Sequence, residues 1–254
     1  GEITVSATSD IYTKSIAAAL LGAAQVNDAD FDGSTAATAT AVGIYTGMAK
    51  DEVLGISNSS SINVQAAASV DSQSYALTLA GDAISDLSLS ATAAAAGIAS
   101  GCGKDTIANE GALAAAATAS VKSVTLDINF LDVLKSNAAH EARAAAVGID
   151  SVSGKDSIVN SGTISATAEA STEAWTGEFN AIDVAIGDFS STSRADAIGI
   201  ATGSGKDTIT NTGTISATAT ADALVGNFTL TMIDFTAISD IMDTVGSAST
   251  DVDA

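Results

Sequence analysis

Proline is absent from all 254 residues, and there is one cysteine, one histidine and one tryptophan. Without proline, turns fall to glycine, asparagine, aspartate and serine. The lone Cys102 excludes an intrachain disulfide. The lone His140 leaves His-based triads and His-rich metal sites without a second member. Aromatic residues make up only 4%, and much of the 46% hydrophobic content is alanine, so any core must be thin and closely spaced. Nine basic residues stand against 30 acidic ones, for a net charge of −21. That balance makes nucleic acid and anionic membrane surfaces poor partners and leaves cations and basic partners open. No apolar run reaches the length of a membrane span, so membrane insertion is not expected, and no basic-apolar leader is visible.

What the chain does have is one stretch written three times, Gly97–Leu113, Gly148–Ile164 and Gly199–Ile215. Its first glycine recurs at 97, 148 and 199, a period of 51 residues. A worn fourth copy starts at Gly43-Ile44 and reaches Asn58 and Ile62, and Gly1–Thr8 reads as the second half of a fifth. A fixed internal period argues for units that stack on their neighbours. The repeats fall at about 1–35 (partial), 36–90, 91–141, 142–193 and 194–254, with no linker between them.

Each unit has a constant and a variable half. In the third full unit the constant half predicts strands at Ala144–Asp150, Asp156–Val159 and Thr163–Ala170, since Ile164, Ala166, Ala168 and Ala170 alternate with polar residues. Gly154-Lys155-Asp156 and Asn160-Ser161-Gly162 supply the turns. The variable half carries the larger side chains, as in Val124-Leu126-Ile128-Phe130, Tyr75-Leu77-Leu79 and Phe228-Leu230-Met232. Near the start, Ser15–Gln25 reads as a short helix or a strand. Stacking the strands at this period predicts an all-β fold, a right-handed parallel β-solenoid (β-helix). Each unit is expected to split into two coils of roughly 25 residues, one narrow and alanine-lined, one wider and lined by Leu, Ile and Phe.

Two columns stand out. Asn109, Asn160 and Asn211 each precede a glycine by two residues and are expected to stack as an amide ladder, tolerating a left-handed turn. Asp105, Asp156 and Asp207 fall one unit apart in a Gly-x-Gly-x-Asp-x-Ile context, as at Gly101–Ile107 and Gly203–Ile209. Stacked aspartates and carbonyls are a calcium donor set. Lys104, Lys155 and Lys206 sit beside them and offer the alternative, a structural turn with ion pairing. Thr/Ala alternation such as Thr218-Ala219-Thr220 is too scattered between units for a flat ice-binding array. The acidic pairs Asp127/Asp132, Asp183/Asp188 and Asp240/Asp243 could imitate a glycosidase pair. Sugar platforms are scarce, and Trp175, Tyr45 and Phe130 read as packing residues. Cys102 takes the place of Ser153 and Ser204, a tolerated substitution.

The tandem pattern A-x-G-I…G-x-D-T-I-x-N-x-G-x-I-x-A-x-A resembles the repeats of bacterial surface β-solenoid proteins, the autotransporter and filamentous-haemagglutinin-like adhesins. Its Gly/Asp turns are partly similar to the RTX nonapeptide. The resemblance implies an extracellular or cell-surface protein that is structural and not an enzyme. Because neither end shows a polar cap, two expectations compete: a fragment of a longer repeat protein, or identical chains stacked end to end. The second gives a filament, sheath or surface layer whose partners are homotypic copies, with contacts to cell surface or matrix. The first gives a stalk segment of a large adhesin, and a polysaccharide-processing β-helix enzyme is a minor third. Calcium is the one cofactor implied.

Overall fold

In the structure, a computed structural model, residues 1–20, 24–26, 34–47, 55–80, 83–130, 134–182, 185–233 and 245–253 are described. The first set of strands is β1 (Ile3–Ala19), β2 (Ala24–Val26), β3 (Ser34–Tyr45) and β4 (Gly55–Asn58). Three full sets follow. They are β5 (Ser61–Thr78), β6 (Ala83–Gly103) and β7 (Thr106–Asn109); β8 (Ala112–Asn129), β9 (Leu134–Gly154) and β10 (Ser157–Asn160); and β11 (Thr163–Ile182), β12 (Ala185–Gly205) and β13 (Thr208–Asn211). The last two are β14 (Thr214–Ile233) and β15 (Val245–Asp253).

These strands form a parallel β-solenoid of three sheets. A front sheet runs β1-β5-β8-β11-β14 and a back sheet runs β15-β12-β9-β6-β2, with β3 also on β6. A narrow sheet, β13-β10-β7-β4, closes one end of the cross-section. Every pairing is parallel. Thr163 lies beside Ala112 and Thr214 beside Thr163, so one full 51-residue unit makes one coil.

This corrects the expectation of two coils per unit. The strands predicted in the constant half run on without a break: β11 continues from Thr163 to Ile182, well past Ala170. Two long strands and one of four residues use up the whole repeat. The coil is large in perimeter but thin, because Ala115, Ala117 and Ala119 face Ala91, Ala93, Ala142 and Ala144 in one buried core. Methyl groups let the broad sheets approach until Cα atoms of facing strands lie within 8 Å, closer than the roughly 10 Å of ordinary packed sheets. The helix considered for Ser15–Gln25 is also corrected where it is described. Ser15–Ala19 belongs to β1, which pairs with β5 over 17 residues, and that ladder outweighs local helix propensity.

The recurrent glycine marks a corner. In β6 the buried positions are odd-numbered from Leu87 to Ala95 and become even-numbered at Ile98 and Ser100, so the alternation slips by one at Gly97. A Cβ at Gly148 would stand 2.3 Å from Ile164 Cγ2 and 2.4 Å from the Gly199 carbonyl oxygen. No side chain fits where the back sheet bends toward the narrow one. The following turn passes through Gly103, Gly154 and Gly205 at φ of 143°, 149° and 154°, which also favours glycine.

Candidate functional site

At the narrow end the short strands aim two polar columns inward. Asn58 Nδ2 donates to Asn109 Oδ1 at 2.8 Å. Asn109 Nδ2 donates to Asn160 Oδ1, and Asn160 Nδ2 to Asn211 Oδ1, each at 2.7 Å. Each of these asparagines ends a short strand, and the left-handed turn expected at Asn is found instead at the glycines two residues before Asp105, Asp156 and Asp207. Four side chains are thus tied into one chain of amides, three of them buried, which polarise one another.

The aspartates stack in the neighbouring column. The Asp105 amide donates to Asp156 Oδ1 and the Asp156 amide to Asp207 Oδ1, both at 3.0 Å. Asp105 and Asp156 are buried, and their Oδ2 atoms have no protein hydrogen-bond donor. Lys104, Lys155 and Lys206 are exposed and form no ion pair with them. The carboxylates therefore serve as stacking acceptors for backbone amides, which replaces the expected Lys–Asp pairing. A calcium ion takes six to eight oxygens. Each rung here offers one uncommitted carboxylate oxygen, and no group of three or more His, Cys, Asp or Glu is placed to hold a metal among the described residues. The column by itself does not fit a calcium centre.

The far half of the coil reverses the expected interior. In β8 the inward set is Leu113, Ala115, Ala117, Ala119 and Val121, and it continues as Ser123, Thr125, Asp127 and Asn129. Val124, Leu126, Ile128 and Phe130 point the other way. Likewise Thr172, Thr176, Glu178 and Asn180 are buried in β11, while Trp175 is 48% exposed. The front wall of the wider part is therefore not lined by Leu, Ile and Phe, whereas the back sheet does bury Leu87, Leu89 and Phe189 there. Trp175, Tyr45 and Phe130 are surface residues, not core packing. Strand parity explains this, because an unbroken strand that buries Leu113 must bury every second residue after it. Among the interior groups, Thr229 Oγ1 donates to Glu178 Oε2 at 3.0 Å, and Thr172 bonds Ser191 and Ser193 of the back sheet.

His140 lies inside, level with Leu89 and Ser191 of the coils on either side. Desolvation by burial lowers its pKa to about 4. At neutral pH it is an uncharged core group. Burial also raises the pKa of Asp150. Asp127 is wholly buried, so it cannot form a glycosidase pair at an open cleft. Asp188 is exposed, and Asp132, Asp183, Asp240 and Asp243 lie outside the described residues. Cys102 is a free thiol beside Ser153.

The outward residues of the far half form a strip across the front sheet. Ile16, Tyr75, Leu126, Gly177 and Phe228 make one column, and Ala18, Leu77, Ile128, Phe179 and Leu230 the next. Neither column holds a charge, in a chain whose net is −21. Phe130 meets Phe179 edge to face with centroids 6.2 Å apart. The Trp175 ring lies over Gly226, where a Cβ would stand 2.3 Å from Cε3. Sequence reading missed this strip; counting parity from Ile164 to Trp175 and Phe179 would have found it. No protein-family model, no curated protein and no solved structure matches the chain.

Proposed function

We propose that the chain is a structural subunit of an extracellular assembly, a β-solenoid rod that stacks end to end on its own copies to build a filament, sheath or surface layer. The observation that carries this reading is the one-sided pairing of the outer front strands. Among the described residues β1 is paired only with β5, and β14 only with β11. Ile215 of β14 is 39% exposed, whereas Ile164, its neighbour in the same column, is fully buried. Ile3 and Val5 of β1 continue the column set of Ile62 and Val64. A second rod laid on the β14 edge would extend the ladder and cover Ile215, an open head-to-tail contact that generates filaments.

A second reading, the stalk of a large surface adhesin, draws on the 51-residue register that holds unchanged from β8 through β14. Further coils of a longer chain would cover the same edge. Negative-stain microscopy of the purified chain, with calcium and with a chelator, separates the two. Long filaments of uniform width support stacking, and their loss on chelation would bring an ion to the Asp105, Asp156 and Asp207 column. Short rods under both conditions overturn end-to-end assembly and leave the stalk.

A further inference from the structure

We propose that the apolar half of the front sheet's outer face is a lateral docking surface whose occupant is a second copy of this chain, lying side by side with the first. The inference is independent of end-to-end stacking, which uses the strand edges and not the sheet face. It starts from the reversed alternation of the far half. Leu126, Phe130, Trp175, Phe179, Phe228 and Leu230 stand outside, while the inward residues of the same front strands are mostly serine, threonine, asparagine and carboxylate side chains. Nothing within the described chain covers them, and a contiguous apolar face of this kind marks an interaction surface.

Three features select a second copy. The first is size. Five rungs at about 4.8 Å and four outward columns at about 6.7 Å give a face of roughly 600 Å². The four are the Ile16 and Ala18 columns, the Lys14–Gln73–Val124–Trp175–Gly226 column and the one that holds Leu79 and Phe130. Two such faces bury about 1,200 Å², the lower end of a stable specific interface. The second is relief. The side chains form ridges at the strand spacing, and Gly177 opens a notch between Leu126 and Phe228. A surface with the same spacing interdigitates with such ridges, and another copy of this sheet has it by construction. The third is charge. Two chains of net −21 repel over most of their surface, and the strip, whose one charged residue is Lys14 over the Tyr75 ring, is where they can touch without opposing carboxylates. The column bordering it, Asp71, Lys122 and Glu173, alternates in sign. A sugar polymer would need several polar groups between the aromatic rings, and the Ile16 and Ala18 columns offer one, the Tyr75 hydroxyl.

The test is small-angle scattering with sedimentation on the full chain and on L126E/F179E. Both substituted side chains point outward, and circular dichroism checks that the β fold is retained. The expected result is a pair with doubled cross-section and unchanged length, weakened about 100-fold or more in the double variant. Dilution of the unaltered chain gives a readout free of any folding question: emission of Trp175, the only tryptophan, shifts to the red as pairs separate. A chain that stays single, a pair unaffected by L126E/F179E, growth in length alone, or capture of single rods by neutral phosphatidylcholine vesicles or an insoluble polysaccharide would each overturn the proposal.

Discussion

The two ends of each coil obey opposite rules. Near the narrow sheet, apolar residues point in, every inward asparagine is bonded to the next, and glycines allow contacts too close for any Cβ. In the far half, the front strands point polar residues in while the back sheet buries Leu87, Leu89 and Phe189, and several of the polar oxygens, including Ser74 Oγ, Thr78 Oγ1 and Thr125 Oγ1, have no protein partner. The backbone ladder is the same in both, since single strands such as β8 and β11 run through both regions. Main-chain pairing therefore sets the shape of the solenoid, while side chains decide how tightly each region is locked. The constant half holds the register, and the variable half is free to present a surface.

The sharpest way to break this contrast is to add a side chain at equivalent depth in each half. Gly148→Val should cost more than about 3 kcal/mol, because backbone and Ile164 occupy the space on both sides. Gly177→Val, which meets only the Leu126 side chain at 3.1 Å on the outer face, should change stability by less than about 1 kcal/mol. Urea unfolding followed by circular dichroism compares them, and equal losses would erase the distinction.

Acid should expose the far half next. The folded pKa of His140, about 4, lies below the unfolded value of 6.5. The unfolded chain therefore binds the extra proton first, so this contribution to stability is full above pH 6.5 and is lost as pH falls toward 4. It amounts to about 3 kcal/mol. Asp150, whose pKa is raised, acts in the opposite sense, so the difference between unaltered chain and variant is what counts. His140→Leu, matching Leu89 one coil away, should remove the loss between pH 6.5 and 4. An unchanged pH profile would show that His140 titrates normally.

Smaller effects separate the polar columns. Asn160→Ala breaks the ladder on both sides and strands the buried amide of Asn109, at a cost of about 2 kcal/mol. Thr125→Val deletes an interior hydroxyl that bonds no protein group, so its effect should fall within about 1 kcal/mol of zero, on the stabilising side. Thermal unfolding of the two variants measures both, and a large loss for Thr125→Val would mean that water or an ion holds the far interior.

The sequence alone determined the period and the columns. Gly97, Gly148 and Gly199, with Asn109, Asn160 and Asn211, repeat at a fixed interval, and parallel strands stacked at that interval must place like residues over like. It also carried the strand period of Ile164–Ala170. The tertiary structure decided how many coils a repeat makes and which face lies inside. Both turn on whether the strand stays unbroken between Ala170 and Trp175, and no proline or glycine marks that point. Local patterning offers two equally regular faces at Val124–Phe130, and hydrophobicity alone picks the apolar one as the core. Inward and outward are not local properties of a strand. They are set where Leu113, Ile164 and the glycine corner lock the front sheet onto the back, and strict alternation carries that choice along the rest of the strand to the outer face.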